Sequence, residues 1–464
     1  MGLLCLCWYD GFMNPGTPSD RSDSEAPPPE LGAANQHAYP SDLAALVLTR
    51  WHEATAAGQI DLLPPAASTL TDVLSICYQA TLLREEGRPV TFRLSLSEPD
   101  AFAPTAGPPA GLHRLVFMRP LPLDQHELRR LAPAVVFSRS LIGATAVGGK
   151  ARIWGVIHSG PQWLQSVRGG RETEQTIPPV LIVAATGPGR LLVTAGALTL
   201  AELRNGTLSG GNVDVFEAQW LRERLSDVGR RTRAAHRRDR ERPGESRAVI
   251  HSTFGAVLAG HVLRRIVATI RAAQHGGTLI IVPSPRVAEL LLDGRYMRVK
   301  YGFTDEEPRR RILTLMGHIM NELAKDEAGK EVGWSTYEAS RSQQLSQMDE
   351  ALFEVAHLVA DLTRVDGAVI MTDCLEVLGF GVEIAGELPE VRRVARAHDL
   401  EGIEREWVRT DRVGTRHGSA YRLCRAVRDA LALVVSQDGG LRFIRWHDDG
   451  VTYWEQVATG LWDV

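Results

Sequence analysis

Three short stretches carry residue types that could do chemistry together. Asp366-Gly367-Ala368 sets a carboxylate before a glycine. A carboxylate there could hold a divalent cation or take a proton from a hydroxyl, and Gly367 would let a ligand approach the backbone closely. Val413-Gly414-Thr415-Arg416-His417-Gly418-Ser419-Ala420 gathers a hydroxyl, a guanidinium and an imidazole just before a helix. Backbone N–H groups at a helix N-terminus favour anions, and a guanidinium fork suits phosphate oxygens. Gly414 and Gly418 leave room for such a ligand. Val434-Val435-Ser436-Gln437-Asp438-Gly439-Gly440 puts Ser436 at the end of an apolar strand, where open α/β sheets bind ligands. Each stretch also has a plain structural reading. Asp-Gly is an ordinary turn, Arg416-His417 could decorate a capped helix, and Asp438-Gly439-Gly440 could close a hairpin.

The elements that must position these stretches are legible on either side. Leu345, Met348, Leu352, Val355, Val359 and Leu362 recur at spacings of three and four, which predicts a long amphipathic helix leading to Asp366. Strands are expected at Ala368–Met371 and Val377–Ile384, and a helix near 390–398. A helix over Gly418–Val427, a strand over Leu431–Ser436 and a hairpin pairing Leu441–Trp446 with Val451–Trp454 complete the run. Upstream, helices are expected over Ile250–Gln274 and Pro308–Ala324, flanking the buried strand Leu279-Ile280-Ile281-Val282.

The first half reads differently. Residues 1–37 are rich in Pro, Ser, Asp and Gly, a composition that cannot bury enough apolar surface to offset chain entropy, so a disordered tail is expected. Ser41 or Asp42 can cap a helix through Leu43, Leu46, Val47 and Trp51, and a second helix follows near Leu70–Glu85. Six strand-like runs come next: Val90–Leu96, Arg114–Met118, Leu141–Val147, Arg152–His158, Val180–Thr186 and Arg190–Thr194. Gly148-Gly149 and Gly187-Pro188-Gly189 read as hairpin turns. These features predict an α+β domain over 38–226. An arginine-rich linker or solvated helix over 227–247 separates it from a second domain over 248–464.

Bulk properties narrow the function classes. A chain of 464 residues suggests two or three domains. The net charge of −4 gives no global attraction to nucleic acid, so none is expected as a partner, although the linker arginines would be the place to look for one. Cys5, Cys7, Cys77, Cys374 and Cys424 form no CxxC pair, which points to neither a disulfide framework nor zinc and fits a reducing cytoplasm. No apolar run is long enough to cross a bilayer, so no membrane partner is expected. Neither a signal peptide nor a myristoylation pattern is present, since Leu6 stands where the latter wants Ser or Thr. Gly148-Gly149-Lys150 is not a P-loop, because Ala151 follows. His318 and Glu322 share a helix face but make no metal site by themselves.

Taken in order, the long helix into Asp366-Gly367-Ala368, the strand ending near Phe380-Gly381, Gly-Thr-Arg-His and then Val-Val-Ser resemble the diadenylate cyclase domain. The resemblance covers 250–464 loosely and 366–446 best. It implies an α/β domain with a central mixed sheet flanked by helices, and ATP as substrate. It also implies Mn²⁺ or Mg²⁺ as cofactor and a homo-oligomer whose cyclase domains meet face to face. Each 3′-hydroxyl would then attack the partner's α-phosphate to give cyclic di-AMP and pyrophosphate. Asp366 would serve the metal and the hydroxyl, with Gly367 and Ala368 beside it. Gly414, Thr415, Arg416, His417 and Ser436 would face the phosphates, and Leu378 to Gly381 would run along the adenine.

Two departures stand out. Gly418 replaces the second Arg of the family's Arg-His-Arg, and Gln437 replaces the Glu that follows the serine. They motivate a second reading, a module that binds ATP or a related nucleotide without cyclising it. In the first half, Tyr39-Pro40, Phe92-Arg93-Leu94, Leu128–Pro133, Arg139–Gly143 and Ile153-Trp154-Gly155 resemble a sensor domain called DACNV. An unidentified small ligand is implied, with Arg139, Ser140, Trp154, His158 and Arg171 as candidate pocket residues or ordinary packing.

Overall fold

The computed structural model describes residues 37–103, 107–108, 111–160, 177–210, 214–240, 248–273, 275–292, 294–325, 330–386, 388–411, 413–437 and 439–456. The tail expected over 1–37 lies almost wholly outside these residues, as do 241–247 of the expected linker, Asp438 and Arg171.

Helix α1 (Pro40–Ala56) begins one residue ahead of the expected caps. Pro40 supplies the preset φ of a first turn, and the Asp42 carboxylate accepts from the Tyr39 N–H at 2.8 Å. With α2 (Ala67–Thr81) and α3 (Gln125–Leu131) it covers one face of an eight-stranded sheet. All six expected strands are there. They are β1 (Phe92–Leu96), β2 (His113–Pro122), β3 (Ser140–Val147), β4 (Lys150–His158), β5 (Leu181–Gly187) and β6 (Arg190–Ala195). Two further strands, β7 (Leu198–Arg204) and β8 (Thr207–Gly210), extend one edge, and the order is β8-β7-β6-β5-β1-β3-β4-β2. Asn205 and Gly206 form their two-residue turn with φ of 51° and 76°, the primed geometry that matches strand twist.

A second, ten-stranded mixed sheet carries the three chemistry-bearing stretches. Its main strands are β9 (Gly277–Val282), β10 (Ala368–Thr372), β11 (Val377–Ile384), β12 (Arg393–Ala397), β13 (Arg405–Arg409), β14 (Leu431–Val435), β15 (Leu441–His447) and β16 (Gly450–Gln456). They run in the order β11-β10-β9-β14-β15-β16-β12-β13, with the two-residue strands Met297–Arg298 and Tyr301–Gly302 on β11. β9 pairs parallel with β10 and antiparallel with β14.

Both faces of this sheet are covered, which is why its central strands are continuous apolar runs. Leu279 and Ile281 pack under a layer of four helices: α4 (Gln219–Arg240), α5 (Phe254–Ala272), α6 (Arg311–Leu323) and α7 (Gln343–Leu362). Ile280 and Val282 point the other way, where α8 (Thr415–Ala426) lies. The periodic helix expected ahead of Asp366 is α7, capped by Ser342, whose hydroxyl accepts from the Leu345 N–H.

Residues Ala38–Val464 form one compact unit. Val215, Phe216, Trp220, Leu221, Leu225 and Val228 are buried in the core of the second sheet. The packing boundary between the two cores therefore falls ahead of residue 215, before the expected boundary at 226. The arginine-rich stretch continues α4, with Thr232 and His236 buried on its inner side and Arg230 and Arg231 exposed.

One expectation is corrected. The helix expected near 390–398 is strand β12, which pairs antiparallel with β13 and parallel with β16. Sheet pairing on both edges and burial of Val394, Ala395 and Ala397 outweigh a locally helix-like spacing. Strand β13 was not foreseen. Helix α8 starts at Thr415, three residues earlier than expected, so Thr415, Arg416 and His417 form its first turn.

Candidate functional site

Strand register brings the three stretches to one end of the second sheet. Val369 lies opposite Leu279, and Leu279 opposite Leu433. Continuing the antiparallel register sets Gly276 opposite Ser436, and Asp366 lies in the bend two residues before β10, at the same sheet end. Gly367 has φ +115°, and a Cβ there would fall 2.7 Å from the Gly381 carbonyl carbon, so Gly367 and Gly381 are packed backbone to backbone. Asp366 itself is exposed, while Ala368 is buried as the first residue of β10.

Helix α8 approaches the same sheet end from above. Gly414 is its N-cap and, having no side chain, offers no cap of its own, and the space beside it is open. Arg416 reaches sideways to the turn before β9, where its Nη1 is 3.4 Å from the His275 carbonyl oxygen. Gly276 makes that approach feasible, since a Cβ there would meet Arg416 Nη1 at 2.7 Å. Ser436 closes the turn after β14, donating from its hydroxyl to the Gly440 carbonyl at 3.1 Å.

Gly414, His417 and Ser436 line one cavity of about 460 Å³, within the usual size range of small-molecule sites. Its other walls are unexpected. Arg396 from β12, Arg442 from β15 and Glu455 from β16 close one side, and Glu202, Arg204, Asn205, Thr207 and Ser209 of the β7–β8 hairpin close another. Glu455 is held by both Arg396 (2.8 Å) and Arg442 (2.7 Å). Burial works against the charge on Arg442, yet Tyr421, Glu455 and Tyr453 beside it keep its pKa above the usual arginine value. Burial pushes the Tyr453 hydroxyl up to about 12 and raises that of Tyr421. Both phenols therefore keep their protons at pH 7, and the Tyr421 hydroxyl oxygen accepts from Arg442 Nη1 at 3.2 Å.

Thr415 and Arg416 stand exposed at the start of α8, outside the cavity lining. Leu378 is not brought to this end. It lies near Met371, toward the far end of β10, and lines a separate cavity of about 590 Å³ with Val287, Leu291, Met297, Phe303 and Arg309. The hairpin residues escaped the sequence reading, although Asn205-Gly206 is a strong turn signal and Leu198–Arg204 alternates toward it.

Among the described residues, no group of three or more His, Cys, Asp or Glu is placed to hold a metal ion. A lone exposed carboxylate at Asp366 still fits the way magnesium-type ions are usually held, by one or two carboxylates plus substrate phosphates and water.

In the first sheet, Ser140 Oγ and His158 Nδ1 are 2.9 Å apart, and Trp154 donates from Nε1 to the Ser97 carbonyl at 2.8 Å. Burial lowers the His158 pKa, and the neighbouring His113 and Arg139 add to that. The Arg139 carbonyl accepts from Ser159.

Comparison with known proteins bears on this half of the chain. Residues 60–158, from before α2 through β4, match the family described as the probable sensor domain DACNV, the N-terminal sensor domain of diadenylate cyclases. No curated protein matches the chain. The fold is a mixed α/β one with mixed sheets and helices, and it contains this sensor domain. Among the described residues, no helix is long and apolar enough to cross a membrane.

Proposed function

We propose that the chain is a diadenylate cyclase, in which an N-terminal sensor domain regulates a C-terminal nucleotide-cyclising domain. The observation that carries this reading is that Asp366, Gly276 and Ser436 lie at one end of the sheet, where Arg416 of α8 reaches the turn before β9. A carboxylate, a guanidinium and a glycine-led helix start gather there. The N–H groups of Thr415 to His417 and the Arg416 guanidinium would bind the phosphate chain. Asp366 would take the proton from the 3′-hydroxyl as its oxygen attacks the α-phosphorus of the ATP on a second subunit. The bond from that phosphorus to the β-phosphate oxygen breaks, and pyrophosphate leaves. Two such steps join two ATP molecules into cyclic di-AMP. Mn²⁺ or Mg²⁺, when bound with the phosphates, would neutralise their charge. Catalysis of this kind is mainly positioning and charge stabilisation.

A second reading, nucleotide binding without cyclisation, is favoured by Gly418 and by Gln437, which remove a cation and an anion from the stretches concerned. One experiment separates the two. Purified protein is incubated with ATP and Mn²⁺ or Mg²⁺, and products are read by mass spectrometry beside an ATP-binding isotherm. Cyclic di-AMP that disappears on Asp366→Ala or Arg416→Ala is expected. ATP binding without product would establish the second reading, and absence of both would overturn the nucleotide assignment.

A further inference from the structure

The cavity at the start of α8 has a wall that no reading of the second half alone supplies. β7 and β8 pair with Arg204 opposite Thr207 and Glu202 opposite Ser209, so these four side chains share one face. That face lines the cavity, while Leu203, between Glu202 and Arg204, is fully buried in the first core. The hairpin is stiffly held. Its turn has only two residues, β7 is laddered to β6 with Arg204 opposite Arg190, and the Gly206 carbonyl accepts from the Ala38 N–H at 2.9 Å.

Arg204 reaches across to the turn after β14. Its Nη1 and Nη2 lie 3.5 and 3.7 Å from where a Cβ on Gly440 would sit, and that point is 2.9 Å from Ser436 Oγ. The guanidinium is thus beside Ser436, on the rim facing Gly414 and His417. The hairpin leaves about 460 Å³ open, so it roofs the cavity and does not fill it.

We propose that Arg204, carried by the sensor sheet, is a phosphate-binding residue of this site and supplies the charge that α8 lacks at Gly418. The inference rests on the nucleotide reading above. It makes the site a composite of both halves, so anything that shifts the sensor sheet changes nucleotide affinity, and by linkage the nucleotide changes the affinity of the sensor for its own ligand.

The test uses the full chain and isothermal titration with ATP, pyrophosphate and adenosine. Arg204→Ala is expected to weaken ATP and pyrophosphate binding about tenfold or more, the usual scale for a lost charge-assisted bond, and to leave adenosine binding unchanged. Adding Gly418→Arg to that variant should restore phosphate affinity. Position 418 can accept the side chain, since a Cβ there meets only Val413, at 4.0 Å. An unchanged thermal midpoint would show that the variant is folded, and Arg204→Lys, which keeps the charge, should lose less. ATP and pyrophosphate binding that is unchanged or tighter in Arg204→Ala would overturn this inference alone. Wild-type protein that binds neither would overturn the nucleotide reading with it.

Discussion

Gly367→Ala tests whether the Asp366 turn depends on the close approach of two backbones. The perturbation has two parts. At φ +115° an L side chain is strained, which costs about 1–3 kcal/mol. The added methyl would also fall 2.7 Å from the Gly381 carbonyl carbon, 2.8 Å from the Val382 nitrogen and 2.9 Å from the Val382 oxygen. Those atoms are all backbone of β11, so relief requires β10 and β11 to separate at their paired ends. Overpacking of this kind costs about 1–3 kcal/mol. Together the loss is ~2–6 kcal/mol, a large share of the ~5–15 kcal/mol typical of a folded domain. The assay is urea unfolding followed by tryptophan fluorescence, with the midpoint and slope compared to wild type. Gly317→Ala in α6 is the control. Nothing lies within 4 Å of its added methyl, and a helix-interior glycine replaced by alanine gains about 0.5–1 kcal/mol. A Gly367→Ala protein within about 1 kcal/mol of wild type would refute the reasoning, because neither the dihedral nor the contact could then be as described.

Other outcomes follow from the same geometry. Asp349 ties α5 to α7 by accepting from Arg265 at 2.6 Å and from the Tyr337 hydroxyl at 2.8 Å, and the Arg265 side chain is only 1% exposed. Asp349→Ala should therefore cost about 1.5–3 kcal/mol in chemical denaturation by removing the carboxylate from Arg265, which keeps its bond to the backbone carbonyl of residue 349, and a loss under about 0.5 kcal/mol would contradict that. Gly276→Ala sets a Cβ at φ +68°, 2.8 Å from the Val435 carbonyl oxygen as well as 2.7 Å from Arg416 Nη1, so it should lower stability by about 1–3 kcal/mol in chemical denaturation, and an unchanged midpoint would contradict that close approach. Burial holds the His447 pKa below 6.5, more than the nearby Asp448 raises it. As pH falls through 6.5 the unfolded chain binds this proton more readily than the folded one, so stability drops on acidification. Thermal midpoints measured from pH 7.5 to 5 should fall less steeply for His447→Gln, and equal slopes would rule out His447 as a contributor.

Local pattern alone determined much of this protein. The six strands β1 to β6, the hairpin glycines, α7 and the buried strand β9 follow from side-chain periodicity and turn chemistry, which act within a few residues. A helix start led by glycine was likewise legible near Gly414, although α8 begins at Thr415, three residues ahead of the expected start. The placement of 390–398 was not, since two neighbouring strands, one of them more than fifty residues downstream, decide that Val394 and Ala395 extend into a sheet. Nor could sequence spacing show that Asp366, Gly276 and Ser436 share one sheet end. That depends on the register of β9 between β10 and β14. Leu378 illustrates the converse, because a position close to Gly381 in sequence lies farther along β11, on a different cavity. Only the tertiary structure decided that Arg204 and Ser436 meet, for the packing of two separate cores brings the β7–β8 hairpin over the start of α8, and no local preference encodes that contact.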